Sequence, residues 1–297
     1  MCQRKRRASD QSGRDEKRRR QQAPDPPDLS ERMCGHVHVR FSKALLDAAR
    51  LLEDDTKFNQ DLKQQISTAI PKIDFAVCTR IPQILKATQV YLAPDNVAND
   101  AMVKAELTDC FSLVPDNEER FRHYCTVIGK IFEMIADGLQ AAYVLVLDYS
   151  MLHKDIGKGA GWVRFRPLKA GKPDGQYPIG NIIYEEAKPR LNFYRGSIHL
   201  DLMRLGATND VGHVCHNIMA EAAALIIHEA SHKFVGTLDH FYISTDQAGE
   251  VSIELTEHGR KFAGTEGQAT RPMKVVNADT FAYFALRMAK LAIDRGL

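Results

Sequence analysis

Residues 217–234, NIMAEAAALIIHEASHKF, constrain this chain more than any other feature. They are rich in strong helix formers, contain no glycine or proline, and stop at Gly236, a residue suited to ending a helix. A helix so dense in Ala, Leu and Ile belongs in a protein interior, yet it carries His228, Glu229 and His232. Burying two imidazoles and a carboxylate without partners is costly, so the pattern asks for a ligand. The HExxH spacing puts both imidazoles on one helical face, one turn apart, with Glu229 beside them. That is the arrangement of a zinc-ligand pair with a base, and zinc needs one more protein ligand and an open position for water. Gly236 lets the chain double back, so Asp239 could return as the third ligand. His240 is adjacent and of a favoured type, and the residue types leave both open.

HEASH followed by Gly236-Thr237-Leu238-Asp239-His240-Phe241-Tyr242 resembles the aspzincin metallopeptidases, the deuterolysin and peptidyl-Lys metalloendopeptidase family, whose pattern is HExxH plus GTxDxxY. The resemblance implies one Zn2+ per chain held by His228, His232 and Asp239. It implies Glu229 as general base and Tyr242 as the donor that stabilises the oxyanion. A second similarity, Asn277-Ala278-Asp279-Thr280-Phe281-Ala282-Tyr283-Phe284, matches the family's NAD-xxx-YF segment and is read as a supporting helix. The likeness spans about residues 225–284, and Ile243 stands where the family usually has glycine. A strand over 197–203 fits the edge strand that zincins place along the substrate cleft. Some relatives prefer lysine through an acidic pocket, for which Asp246, Glu250 and Glu254 are the candidates.

The rest of the chain is read from composition and pattern. With 297 residues, 44% hydrophobic and 26% charged, it can bury a full core. Its apolar runs, such as Ala222–Ile227 and Tyr143–Leu147, are far shorter than the roughly 20 residues of a membrane span. No secretory signal is recognised at the N-terminus. Residues 1–35 are expected to be a disordered basic tail. Its first thirty positions hold nine Lys or Arg against five acids, few large apolar side chains and the run Ala23-Pro24-Asp25-Pro26-Pro27. Clusters at 4–7 and 17–20 could serve nuclear import or nucleic-acid contact, although without interleaved aromatics they weigh little towards specific nucleic-acid binding. The six cysteines lie far apart without CxxC spacing and read as buried or incidental thiols, a bridge or two remaining open.

From about residue 38 the pattern reads as helical. Helices are expected over Phe41–Glu53, over parts of 59–92 with Pro71, Pro82 and Pro94 as breakers, and after a capping box at Asp116 and Glu119. Tyr143–Leu147 reads as a strand, and 150–180 as strand and loop. His213, Cys215 and His216, and the run Ile156–Gly161, read as ordinary loop residues, and His36 and His38 as solvent-exposed. Glu221, two turns before His228, is a candidate carboxylate behind a ligand.

The expected fold is therefore α+β: a zincin-like metallopeptidase domain over 36–297, helical over 36–140, with a small twisted sheet and the HExxH helix over 141–297. The expected function is zinc-dependent endoproteolysis of a protein or peptide substrate, with no membrane partner. The chain would be cytoplasmic as made, or delivered by a specialised secretion system as a bacterial effector or toxin. The competing class is a non-catalytic, zinc-stabilised adaptor whose basic tail recruits nucleic acid or import machinery.

Overall fold

The structure is a computed structural model that describes residues 30–50, 57–114, 117–149, 161–163, 197–202, 205, 221–245, 250–263 and 267–297. It is a mixed α+β protein. A five-stranded sheet has the order β1 (Arg32–Cys34), β2 (Val37–Phe41), β3 (Tyr143–Asp148), β5 (Ile198–Asp201), β4 (Gly161–Val163). The central strands β2, β3 and β5 run parallel, and the outer strands β1 and β4 run antiparallel to their neighbours. Among the described residues the first strand starts at Arg32, inside the segment expected to be tail, and residues 1–29 lie outside the described residues.

Strand β2 corrects the expectation of helix from residue 38. Val37, Val39 and Phe41 are buried while Arg40 is exposed, the period-two alternation of a strand with one covered face. The registers Val37↔Tyr143 and Leu145↔Ile198 carry that apolar face across three strands. Helix α1 (Lys43–Arg50) then starts two residues beyond β2. β5 differs from the sequence expectation more sharply. All four residues are buried, and β3 and β4 flank the strand on either side, so among the described residues the edge of the sheet is β4.

Helix α2 (Lys57–Phe75) passes through Pro71 unbroken and runs into a π-helical turn, Ala76–Arg80, before α3 (Ile81–Tyr91). Pro94 instead starts α4 (Pro94–Asn99), where a missing N–H costs no hydrogen bond, while Pro82 lies just beyond the π-helical turn, which runs on into α3 with helical backbone at Arg80 and Ile81. After α5 (Ala101–Phe111), the long helix α6 (Glu118–Gln140) is capped by Asn117, whose Oδ1 accepts from Arg120 N at 2.9 Å. Asp116 lies outside the described residues. His36 is exposed, as expected, and its Nε2 also donates to Leu139 O at the end of α6, 2.6 Å away.

The HExxH segment lies in α7 (Ala222–Val235), which packs on β4, β5, α6 and α10 (Ala278–Asp294). Two close fits set its position. A Cβ on Gly138 of α6 would lie 2.3 Å from the Phe234 ring, so the bare backbone there lets the helices approach. Phe281 and Phe284 of α10 interlock with Phe111 and Phe132 at centroid separations of 5.3–5.6 Å. Each such ring contributes about 1.5–3 kcal/mol by burial, which anchors α10 beneath α7. A hairpin of β6 (Phe241–Thr245) and β7 (Val251–Leu255), followed by α8 (Glu257–Phe262) and α9 (Arg271–Lys274), completes the described structure. Among the described residues, no helix is long and apolar enough to cross a membrane.

Candidate metal centre

The metal helix ends as its sequence requires. Gly236 adopts φ 82°, ψ 34°, and its N–H donates to the carbonyls of Ser231 and His232, both at 3.0 Å. The reversed chain is then held in place by side chains far along the sequence. Asn277 Oδ1 accepts from His240 N (2.8 Å) and Phe241 N (3.1 Å). Leu238 exchanges backbone hydrogen bonds with Val276 and Ala278 at 2.9 and 3.0 Å. On the other side α8 closes over the turn at Gly259, where a Cβ would lie 1.8 Å from His240 O. Only glycine permits that approach.

This clasp brings Asp239 back to the helix. His228 Nε2, His232 Nε2 and Asp239 Oδ1 form a nearly equilateral triangle with edges of 3.1, 3.2 and 3.3 Å. The group is able to hold a metal ion. Ligands about 2.0–2.1 Å from a tetrahedral ion stand roughly 3.3 Å apart, so the triangle has the size such an ion needs. The protonation pattern agrees. His232 Nδ1 donates to Thr237 O (2.7 Å), and His228 Nδ1 donates to Asp279 Oδ1 (2.5 Å). Both Nε2 lone pairs therefore face a carboxylate oxygen that itself lacks a hydrogen-bond partner. Three acceptor atoms converge on one point, and a cation there, whether a proton or a metal ion, satisfies them.

Electrostatics point the same way. Burial opposes charge on His228, but the carboxylates of Asp279, Glu229 and Asp239 outweigh it and push the imidazole up to about 10. Burial raises the Asp239 carboxyl, yet His232, His228 and His240 bring it down to about 2, so it is ionised at neutral pH. The pocket thus draws positive charge to the point the ligands share.

The rival ligand is excluded by where its ring goes. His240 is buried against α8, stacked on His258 at 5.0 Å and edge-on to Phe262 at 5.4 Å. Glu229 is 4% exposed, with Oε1 3.8 Å from His228 Nε2 and Oε2 without a hydrogen-bond partner. Burial pushes its carboxyl up, making it a stronger base than a surface glutamate. Tyr242 is half-exposed on β6. Burial together with Asp239, Asp279, Glu229 and Glu254 pushes its phenol up to about 12, so it keeps its proton at neutral pH.

Other sequence candidates stand apart. Glu221 does not back a ligand; its carboxylate receives Arg80 of the π-helical turn, Nε–Oε2 at 2.8 Å and Nη2–Oε1 at 3.2 Å. Glu250 and Glu254 are exposed, and Glu254 faces Tyr242 across the hairpin. Asp246, His213, Cys215, His216 and the run 156–160 lie outside the described residues. Sequence reasoning missed the part played by Asp279, which does more than belong to a supporting helix. Its Oδ1 orients His228 and its Oδ2 accepts from Ile243 N at 2.7 Å, tying the helix to β6. The NAD segment was the available signal for it. Asn277 and Thr237 were likewise read only as members of their motifs, with no role of their own. Compared with known protein families, curated proteins and solved structures, the chain matches none of them.

Proposed function

We propose that this chain is a zinc-dependent metalloendopeptidase of zincin-like architecture, as its resemblance to the aspzincins implies. The observation that carries the reading is the 3.1–3.3 Å triangle of His228, His232 and Asp239, with a buried, unpartnered glutamate oxygen alongside. The donor set, two neutral imidazoles and one carboxylate, suits zinc and leaves the fourth position for water or substrate. When bound, the ion would acidify water towards a pKa of about 7 and polarise the scissile carbonyl.

The protein's own groups do the rest. Glu229 takes the proton of the attacking water and passes it to the departing amine, a transfer favoured by the raised basicity of its buried carboxylate. Asp279 and Thr237 hold the two imidazoles in the tautomer that leaves Nε2 free. Tyr242, protonated and half-exposed on β6, is the donor for the developing oxyanion. Among the described residues β4 pairs only with β5, so its other edge is a candidate to take up an extended peptide beside the helix that packs against it. On this reading the substrate edge is Gly161–Val163 rather than 197–203.

Metal analysis of the purified chain should find one zinc per chain, and a peptide library should be cut. Glu229→Gln should keep the zinc and lose cleavage by a factor of about 100 or more. Cleavage that survives this substitution would sink the mechanism. A wild type that holds zinc and cuts no peptide would instead make the site structural, as in an adaptor.

A further inference from the structure

We propose that Cys34 and Cys78 are a thiol oxidation site, closed to a disulfide by exchange with a small-molecule disulfide such as oxidised glutathione. The two residues are 44 positions apart, one ending the edge strand β1 and the other in the π-helical turn between α2 and α3. The fold nevertheless sets their Sγ atoms 2.7 Å apart. Both are free thiols. Two unbonded sulfurs do not pack this closely without repulsion, and the gap exceeds a covalent bond by only about 0.7 Å. Closing it relieves the crowding with a small movement.

The pair is also arranged for ordered attack. Cys78 is exposed, so an outside disulfide reaches it first. Cys34 is buried, and burial together with the neighbouring thiol raises its pKa well beyond the ordinary range, so it is the resolving partner. In the first step the Cys78 thiolate attacks one sulfur of oxidised glutathione, forming a mixed disulfide and releasing one glutathione thiolate. In the second the Cys34 thiol gives its proton to solvent and attacks Cys78 Sγ, breaking the mixed disulfide and releasing the second glutathione. Two protein thiols are oxidised and one glutathione disulfide is reduced to two thiols.

The crosslink would fasten the sheet edge to the turn that also carries Arg80. Arg80 grips Glu221 at the start of the metal helix, so oxidation stiffens the support of α7 without touching a metal ligand. The inference stands whether or not the metal centre is catalytic.

The full chain should be equilibrated with oxidised or with reduced glutathione, alkylated and digested without reduction. In the oxidised sample a peptide pair joined through Cys34 and Cys78 should appear, and the intact mass should fall by about 2 Da with the loss of two hydrogens. The oxidised form should melt on the order of 5 °C higher, the effect of closing a loop of this size. Cys78→Ser, at an exposed position, should fold normally, yield no linked pair and show no difference in melting between the two conditions. Glutathione that stays attached at Cys78 while Cys34 remains alkylatable would overturn the proposal. So would an oxidation-dependent rise in melting temperature that Cys78→Ser preserves.

Discussion

Asp279 offers the sharpest probe of the metal centre, because it touches His228 but not the point the three ligands share. Its carboxylate accepts twice, from His228 Nδ1 at 2.5 Å and from Ile243 N at 2.7 Å. In Asp279→Asn the side chain has one acceptor where two are needed. If the amide oxygen takes the Ile243 N–H, the NH2 faces His228 and drives its proton onto Nε2, where it blocks the metal. If the oxygen takes His228 instead, the NH2 meets the Ile243 N–H and a buried donor is left unpaired, at about 1–3 kcal/mol. Loss of a carboxylate that orients a ligating histidine typically weakens metal binding by about 10–100-fold, or roughly 1.4–2.8 kcal/mol. Competition for zinc against a chromogenic chelator of known affinity reads this directly. The expected order of affinity is wild type, then Asp279→Asn, then Asp239→Ala, which removes a ligand outright. A circular-dichroism melt of the metal-free variants separates affinity from folding. Asp279→Asn that folds normally and binds zinc within about twofold of wild type would refute the orienting role.

Two further substitutions test how the site is held. Gly259→Ala puts a Cβ 1.8 Å from a backbone oxygen of His240, and Gly138→Ala puts one 2.3 Å from the Phe234 ring. A side chain can turn aside and a clasped backbone cannot, so Gly259→Ala should cost more, about 3 kcal/mol or above against roughly 1–3 for Gly138→Ala. Urea titrations giving the opposite order would show that the turn is softer than the clasp implies. In the buried Arg80–Glu221 pair, Glu221→Gln alone should destabilise by about 3–5 kcal/mol, since it leaves the guanidinium buried without its countercharge. Arg80→Met combined with Glu221→Leu should recover most of that loss in the same titration, and a double variant less stable than the single one would argue against this account.

How far the sequence reached follows from the range of the interactions. The metal helix, its end at Gly236 and the one-face placement of His228 and His232 depend on contacts within a few residues, which local propensity and the i, i+4 spacing encode. The long helix after Asn117 and the strand Tyr143–Asp148 were readable for the same reason. The strand Val37–Phe41 was misread because its alternation is short and continues directly into a helical pattern. β5 was expected at an edge on the resemblance alone, yet β3 and β4 pair with it on either side and all four of its residues are buried.

Periodicity carries no information about which elements become neighbours. The choice of Asp239 over His240 was made by Asn277, by Gly259 and by the stacking of His240 on His258. The orienting carboxylate lies 51 residues from the histidine it serves, and the adjacent thiols lie 44 residues apart. Residue types along the chain thus determined which groups are available for chemistry. Only the packing of α10, α8 and the sheet around α7 decided which of them meet, because that depends on buried contacts between segments remote in sequence, where no local preference reaches.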